Sequence, residues 1–280
     1  MTASRPELTV VGAINLDLTA TTRRMPAPGE TVADGVLSQQ PGGKGANQAI
    51  AAARLGASVR MLGAVGDDAN GALLRGALAA GGVDVRGVQT VAGATGIALI
   101  TVDAEGENCI VVCPGVNSAI ETEAVRVHAH TAVLAQLEVP LEVVSHVSEL
   151  TDGFFALNLS PARDIPEVLW QRVDLFIVNE DEYAAAPRLR NARLVAVTLG
   201  ARGAILYRHG TQIASAHVPA TLVVNTVGAG DSFAAALTVG LLRGDPPQDA
   251  LHRACAVGAA AVGDPRSQPE LRDLSDYPAR

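Results

Sequence analysis

Lysine is almost missing from this chain. Lys44 is its one lysine among 21 basic residues, which leaves arginine the rest. Aromatic residues are scarce as well, 3% with a single tryptophan. That suits closely packed small-residue helices on a parallel sheet better than an aromatic binding surface. Three cysteines, an odd number in 280 residues, do not suggest a disulfide framework. Cys109 and Cys113 lie four apart in a strand-like stretch, roughly 13 Å at strand rise, too far to clip a metal. Cys255 falls in an alanine-rich helix pattern and reads as core. No apolar run approaches the ~18 residues of a membrane span, although 48% of residues are apolar and mean hydropathy is +0.24. Excess positive charge is absent too: the formal net charge is −8. This argues against nucleic acid as a main partner but leaves room for a local anion site. Met1 to Glu7 is polar and runs straight into a strand-like stretch, with no secretory pattern. A cytoplasmic setting is the expectation.

Alternating patterns fill the chain. Leu8–Ala13 reads as a buried strand, and Val32–Gln40, Thr95–Asp103 and Cys109–Val112 as further strands. Ala46–Leu55 and Asn70–Ala80 read as helices. Beyond residue 120, strands are expected at Ala132–Leu137, Phe154–Leu159, Leu175–Val178 and Leu194–Leu199. Helices are expected at Leu141–Leu150, Ile165–Arg172, Asp231–Leu242 and Gln248–Val262. Ala204–Arg208 and Thr211–Ala216 read as a hairpin through His209-Gly210. Strand and helix in alternation imply a parallel sheet covered on both faces. No linker or repeat divides the chain, so one α/β domain over residues 1–280 is expected. A small β element from about 12–42 and 92–116 would lie over it as a lid.

Two glycine-rich runs carry chemistry. Lys44 sits in Pro41-Gly42-Gly43-Lys44-Gly45-Ala46-Asn47, where glycines let backbone approach a ligand and the ammonium suits a phosphate or sugar oxygen. Leu222–Val224 reads as a strand end, followed by Asn225-Thr226-Val227-Gly228-Ala229-Gly230 and then Asp231 at a helix start. Free amides at a helix start make an anion site. Asp231 is either an ordinary first-turn carboxylate or a base that takes a proton from a hydroxyl attacking a γ-phosphate. The amides of Gly228, Ala229 and Gly230 would stabilise the transferring group. Neither run is the phosphate loop G-x-x-x-x-G-K-[ST], and Gly12-Ala-Ile-Asn15 lacks the dinucleotide glycines, which disfavours a nicotinamide oxidoreductase. Asn15 and Asp17, two apart on a strand, point to one face. His128 and His130 read as surface.

Together these stretches resemble the PfkB-type, or ribokinase, family of carbohydrate kinases. The resemblance runs through Gly12-Ala-Ile-Asn15-Leu-Asp17, Pro28-Gly29-Glu30-Thr31, Gly42 to Ala49, Gly63 to Asp68, Thr95-Gly96, Gly106-Glu107-Asn108 and Gly228 to Phe233. It implies a three-layer α/β/α core with a small β-sheet lid, and ATP-dependent phosphorylation of a pentose, D-ribose at its 5-hydroxyl. It implies that Asn15, Asp17, Gly43, Lys44, Asn47, Glu138 and Asp231 bind the sugar. Asn179, Thr198, Gly200, Gly203, Gly228 and Gly230 would bind the nucleotide, with Glu182 serving Mg²⁺ through water. A homodimer through the lids is implied as well. Another acceptor, whether deoxyribose, a ketose or a nucleoside, stays open, as does a degenerate sugar- or nucleotide-binding protein.

The chain departs from the family at Asn225, where an aspartate usually helps hold a monovalent cation. Its tail, Asp264 to Glu270, differs as well. Val227, Ala261, Arg266 and Glu270 would line that cation site. Either Glu270 returns the missing carboxylate, or the Arg266 guanidinium takes the cation's place. Weak or absent K⁺ dependence is expected. The segment Asn179–Thr198 is also shorter than the family's usual one.

Overall fold

The computed structural model describes residues 5–279. The chain runs β1 (Glu7–Val11), β2 (Asn15–Thr21), β3 (Val36–Gly42), α1 (Lys44–Arg54), β4 (Ser58–Gly66), α2 (Ala69–Ala80), β5 (Asp84–Val91), β6 (Gly96–Val102) and β7 (Asn108–Cys113). It continues through β8 (Ala132–Ala135), α3 (Leu141–Leu150), β9 (Phe155–Asn158), α4 (Glu167–Arg172), β10 (Leu175–Asn179) and α5 (Glu180–Ala185). It ends with β11 (Leu194–Thr198), β12 (Ala204–Arg208), β13 (Thr211–Ala216), α6 (Ala229–Leu242) and α7 (Pro247–Val262).

Nine strands form the main sheet in the order β13-β12-β11-β10-β9-β8-β1-β4-β5. All neighbours are parallel from β11 through β5, and the β12–β13 hairpin adds an antiparallel edge. The inner strands are apolar on both faces because helices cover both. Leu8 and Val10, Ala132 and Leu134, and Leu175 and Ile177 turn to one core with α1, α2, α6 and α7. Val11, Val133, Ala135, Phe176 and Val178 turn to the other, with Val143, Val144 and Val147 of α3 and Leu169 of α4. This is a three-layer α/β/α fold, and the strict alternation follows from the two-residue period of a strand.

Strand order reverses beside β1. The chain steps from β1 to β4 and β5 on one side, and from β8 to β11 on the other. In open α/β sheets a crevice forms at such a point, beyond the carboxyl ends of the strands. The second sheet, β3-β2-β6-β7, stands over this end. Its register pairs Asp17 with Ala98 and Ala98 with Val112. One face therefore carries Asn15, Asp17, Ala98, Ile100, Ile110 and Val112 toward the crevice.

Several local expectations need correction. Strand β3 begins at Val36, not Val32, because residues 22–35 form turns and coil. Strands β4 and β5 were not anticipated. Leu222–Val224 is not a strand end: the three residues are exposed loop, since β-branched residues form a strand only where an edge offers a partner. The short crossing after Asn179 is filled by α5 and a 3-10 turn, Pro187–Asn191, that buries Leu189.

Candidate active site

A cavity of about 440 Å³ opens at the crevice, and a second of about 470 Å³ adjoins it. The first is polar. Asn15, Asp17, Gly43, Lys44, Asn47, Glu138, Asn179, Glu182, Val227 and Asp231 all line it. The second is apolar, with Val218, Pro219, Phe233, Cys255, Ala259 and Val262 in its wall, and Gly200 and Gly203 at its rim. Thr198, Thr226 and Gly230 belong to both. The N-terminus of α6 thus stands between two compartments.

Backbone geometry explains the glycines. Gly228 precedes α6 at φ +81, a left-handed conformation that L side chains avoid. A Cβ there would sit 2.1 Å from the Ser267 carbonyl. A Cβ on Gly230 would meet nothing within 4 Å, so its α-carbon faces open space between the cavities. Gly43, at φ +86, precedes α1, and a Cβ would lie 2.7 Å from the Ala13 carbonyl oxygen. This close approach presses α1 onto the end of β1. The first amide of α1, that of Lys44, donates to Glu138 Oε2 at 2.9 Å.

Asp231 lies in the first turn of α6 and is 8% exposed. Asn47 Nδ2 donates to its Oδ2 at 3.1 Å, and Gln48 Nε2 to its Oδ1 at 3.0 Å. Asp17 lies across Gly42 and is 7% exposed. Burial, aided by the charges of Glu138 and Asp231, pushes its carboxyl up to about 7. Burial likewise raises Glu138, against the pull of Lys44. For Lys44, burial works against the ammonium, but Asp231, Glu138 and Glu182 outweigh it and hold its pKa above the ordinary value. Among the described residues, Lys44 is the one basic side chain in the polar cavity, facing four carboxylates.

Asn179 and Glu182 form a reciprocal cap at the start of α5, each side chain accepting from the other's amide at 2.8 Å. Helix start and cavity wall are here the same residues. Three contributors have no role assigned from the sequence, although Gln48 falls within the Gly42 to Ala49 run. Asn158 ends β9 beside Ile177 and lines the cavity. Asn117, fully buried, donates to Asn15 Oδ1 at 2.8 Å, which leaves the Asn15 amide group to donate. Gln48 holds Asp231 from outside the cavity. Cys255 is buried in α7 as expected, but it also lines the apolar cavity, and burial pushes its thiol up to about 11.

The candidate cation site is not a cage of free oxygens. Asn225 Nδ2 donates to the Pro265 carbonyl at 3.1 Å, and its Oδ1 accepts from Val227 N at 3.0 Å. The Ala261 carbonyl accepts from Asp264 N at 3.1 Å. Arg266 is held by Asp264 and by Glu270 Oε1 at 2.8 Å. Neither Arg266 nor Glu270 hydrogen-bonds Asn225; the two side chains pair with each other. The Asn225 and Ala261 oxygens of this set thus each already accept a backbone hydrogen bond.

A buried carboxylate at a helix N-terminus, between a polar and an apolar compartment on an α/β sheet, is the layout of a small-molecule kinase. Residues 5–273 match the family model described as pfkB family carbohydrate kinase, and the chain belongs to that family. It is 34% identical over 289 residues to the ribokinase of Bacillus subtilis, covering 95% of this chain and 97% of that one. It is 31% identical over 303 residues to the deoxyribokinase of Salmonella typhimurium, covering 97% and 98%. The structure of Arabidopsis thaliana ribokinase complexed with ribose and ATP superimposes with a TM-score of 0.85 at 29% identity, covering 97% of each chain.

Proposed function

We propose that this chain is a ribokinase, moving the γ-phosphoryl group of ATP to the 5-hydroxyl of D-ribose to give D-ribose 5-phosphate and ADP. The carrying observation is Asp231, buried in the first turn of α6 with the polar cavity before it and an amide on each oxygen. As the hydroxyl oxygen attacks, its bond to the γ-phosphorus forms and the bond to the β,γ-bridging oxygen breaks. The electron pair leaves with ADP and the hydroxyl proton passes to Asp231. Amides of Gly228 and Gly230, which line the polar cavity, would face the transferring group, whereas the Ala229 amide donates to the Thr226 carbonyl at 3.4 Å and would have to turn to join them. Asn15, Asp17, Gly43, Asn47 and Glu138 bind the sugar, with Lys44 between sugar and phosphate. Thr198, Gly200, Gly203 and Asn179 serve the nucleotide, whose base enters the apolar cavity.

Mg²⁺ fits this donor set. One ammonium among four carboxylates cannot balance a triphosphate, and Glu182 keeps one carboxylate oxygen outside its cap. Mg²⁺ retains waters and binds through one or two carboxylates and phosphates. Glu182 and Asn179 would hold it, and it would supply counter-charge to the phosphates. K⁺ is not needed, because Asn225 supplies an N–H where a cation would bridge oxygens. Rates in KCl and choline chloride at equal ionic strength should agree within about twofold; steep K⁺ activation would refute this.

The four-stranded sheet acts as a lid that excludes water from the phosphoryl group. Its other face exposes Leu37, Leu99 and Val111, which supports pairing with a second copy; light scattering at the mass of one chain would refute that. The deciding experiment is coupled ADP release over D-ribose, 2-deoxyribose, fructose and nucleosides. D-ribose should show the highest kcat/KM. A higher value for 2-deoxyribose would move the chain to the deoxyribokinase side of its relatives.

A further inference from the structure

We propose that Gln48 is the positioning residue of Asp231, fixing which lone pairs of the carboxylate are left for the sugar hydroxyl; this rests on the kinase reading. Gln48 lies in α1, fully buried, and does not line either cavity. Both protons of its amide are used: Nε2 donates to Asp231 Oδ1 at 3.0 Å and to Asn158 Oδ1 at 3.1 Å. Its Oε1 accepts from Gln136 Nε2 at 2.8 Å, and Gln136 is fully buried too.

The orientation of this chain is determined. Asn158 donates its own amide to the Ile177 carbonyl at 3.0 Å, so its oxygen must face Gln48. A flipped Gln48 would turn its oxygen onto a carboxylate and a carbonyl at once. Gln136 then has one way to satisfy Gln48, although its Oε1 is left without a partner. That oxygen lies so close to Gly12 that a Cβ there would meet it at 1.7 Å. The arrangement tolerates an orphaned buried acceptor, a costly group, and keeps a donor on Asp231.

Asn47 also donates to Asp231, yet it lines the cavity, and its own Oδ1 accepts from Gln268 Nε2 at 3.3 Å. Sugar can compete for Asn47 but not for Gln48. Gln48 is therefore the constant contact, and the carboxylate turns about it. A carboxylate oxygen accepts about two hydrogen bonds; with one taken on each, each oxygen of this cavity-lining carboxylate keeps capacity for the sugar hydroxyl.

The test uses the full chain with D-ribose, ATP and Mg²⁺. Wild-type ADP release that depends on ribose establishes the kinase reading; its absence overturns that reading and this inference with it. With the wild type active, Gln48→Met should lower kcat roughly 10–100-fold, the scale of a misplaced reacting group. KM for ribose and ATP should stay within about twofold, with unchanged circular dichroism. In an Asp231→Asn background the same substitution should lower kcat no further, because its effect runs through that carboxylate. A wild-type kcat, a rise in KM alone, or full additivity in the double variant would overturn the proposal. Should Gln48→Met fail to fold, Gln136→Met removes the bond that orients Gln48 and is read the same way. An unchanged kcat there would overturn it too.

Discussion

Replacing Asp17 by asparagine should stabilise the protein while disabling it. Asp17 is 7% exposed, and no described residue donates a hydrogen bond to its carboxylate. Its carboxyl is raised from 3.8 to about 7 by burial and by Glu138 and Asp231. The folded state therefore binds this proton more tightly than the unfolded chain. Below about pH 4 both states are protonated and nothing is lost. As pH rises toward 7, only the unfolded chain ionises freely, so stability falls; above 7 the loss is constant. The full displacement corresponds to on the order of 4 kcal/mol at ~1.4 kcal/mol per tenfold. Asparagine carries no such penalty. Urea unfolding of Asp17→Asn and wild type should show an advantage for the variant that grows by about 2–3 kcal/mol between about pH 5 and pH 8. In thermal scans this is roughly 2 °C or more per kcal/mol. Sugar hydroxyls that donate to the ionised carboxylate should make KM for ribose fall as pH rises through 7, and the variant should lose that trend. An advantage that is the same at both pH values, or a variant less stable at pH 8, would refute the reasoning.

Other outcomes follow from the same geometry. Asp231→Asn should lower kcat at least ~10²-fold with nucleotide affinity retained, the expected loss of a general base; near-normal turnover in the ADP assay would defeat the assignment. Gly228→Ala must place a Cβ at φ +81 against the Ser267 carbonyl. It should cost about 1–3 kcal/mol in urea unfolding and lower kcat as the α6 amides shift. Lys44→Met leaves the polar cavity with carboxylates alone and should lower kcat/KM by roughly 10²-fold or more; a change under threefold would remove Lys44 from the reacting end.

Most inner strands were legible because continuous apolar runs bounded by polar residues need both faces covered, as in Leu175–Val178; β4, equally buried between β1 and β5, was missed. Strand β5 was harder. As an edge strand it mixes polar and apolar residues without a clean alternation, Asp84, Arg86, Gln89 and Thr90 among valines, and is only half-buried, with Val88 its one fully covered side chain. Leu222–Val224 misled in the other direction, since its composition is that of a strand but no edge receives it. Asn179 and Glu182 could be read as a helix start or as site residues, and the structure makes them both.

What the chain determined by itself is local: glycines where only a left-handed or unhindered backbone fits, an aspartate in the first turn after them, and helices and strands of the right period. These follow from dihedral and hydrogen-bond limits that act over a few residues. The meeting of Lys44 with Glu138, and of Asn47 and Gln48 with Asp231, spans 94 to 184 positions and was decided by tertiary structure. Parallel register and the reversal of strand order beside β1 bring those strand ends to one crevice. Asn158, Asn117, Gln48 and Gln136 gain their roles only there. An amide has no meaning in sequence until burial removes water and leaves it one partner.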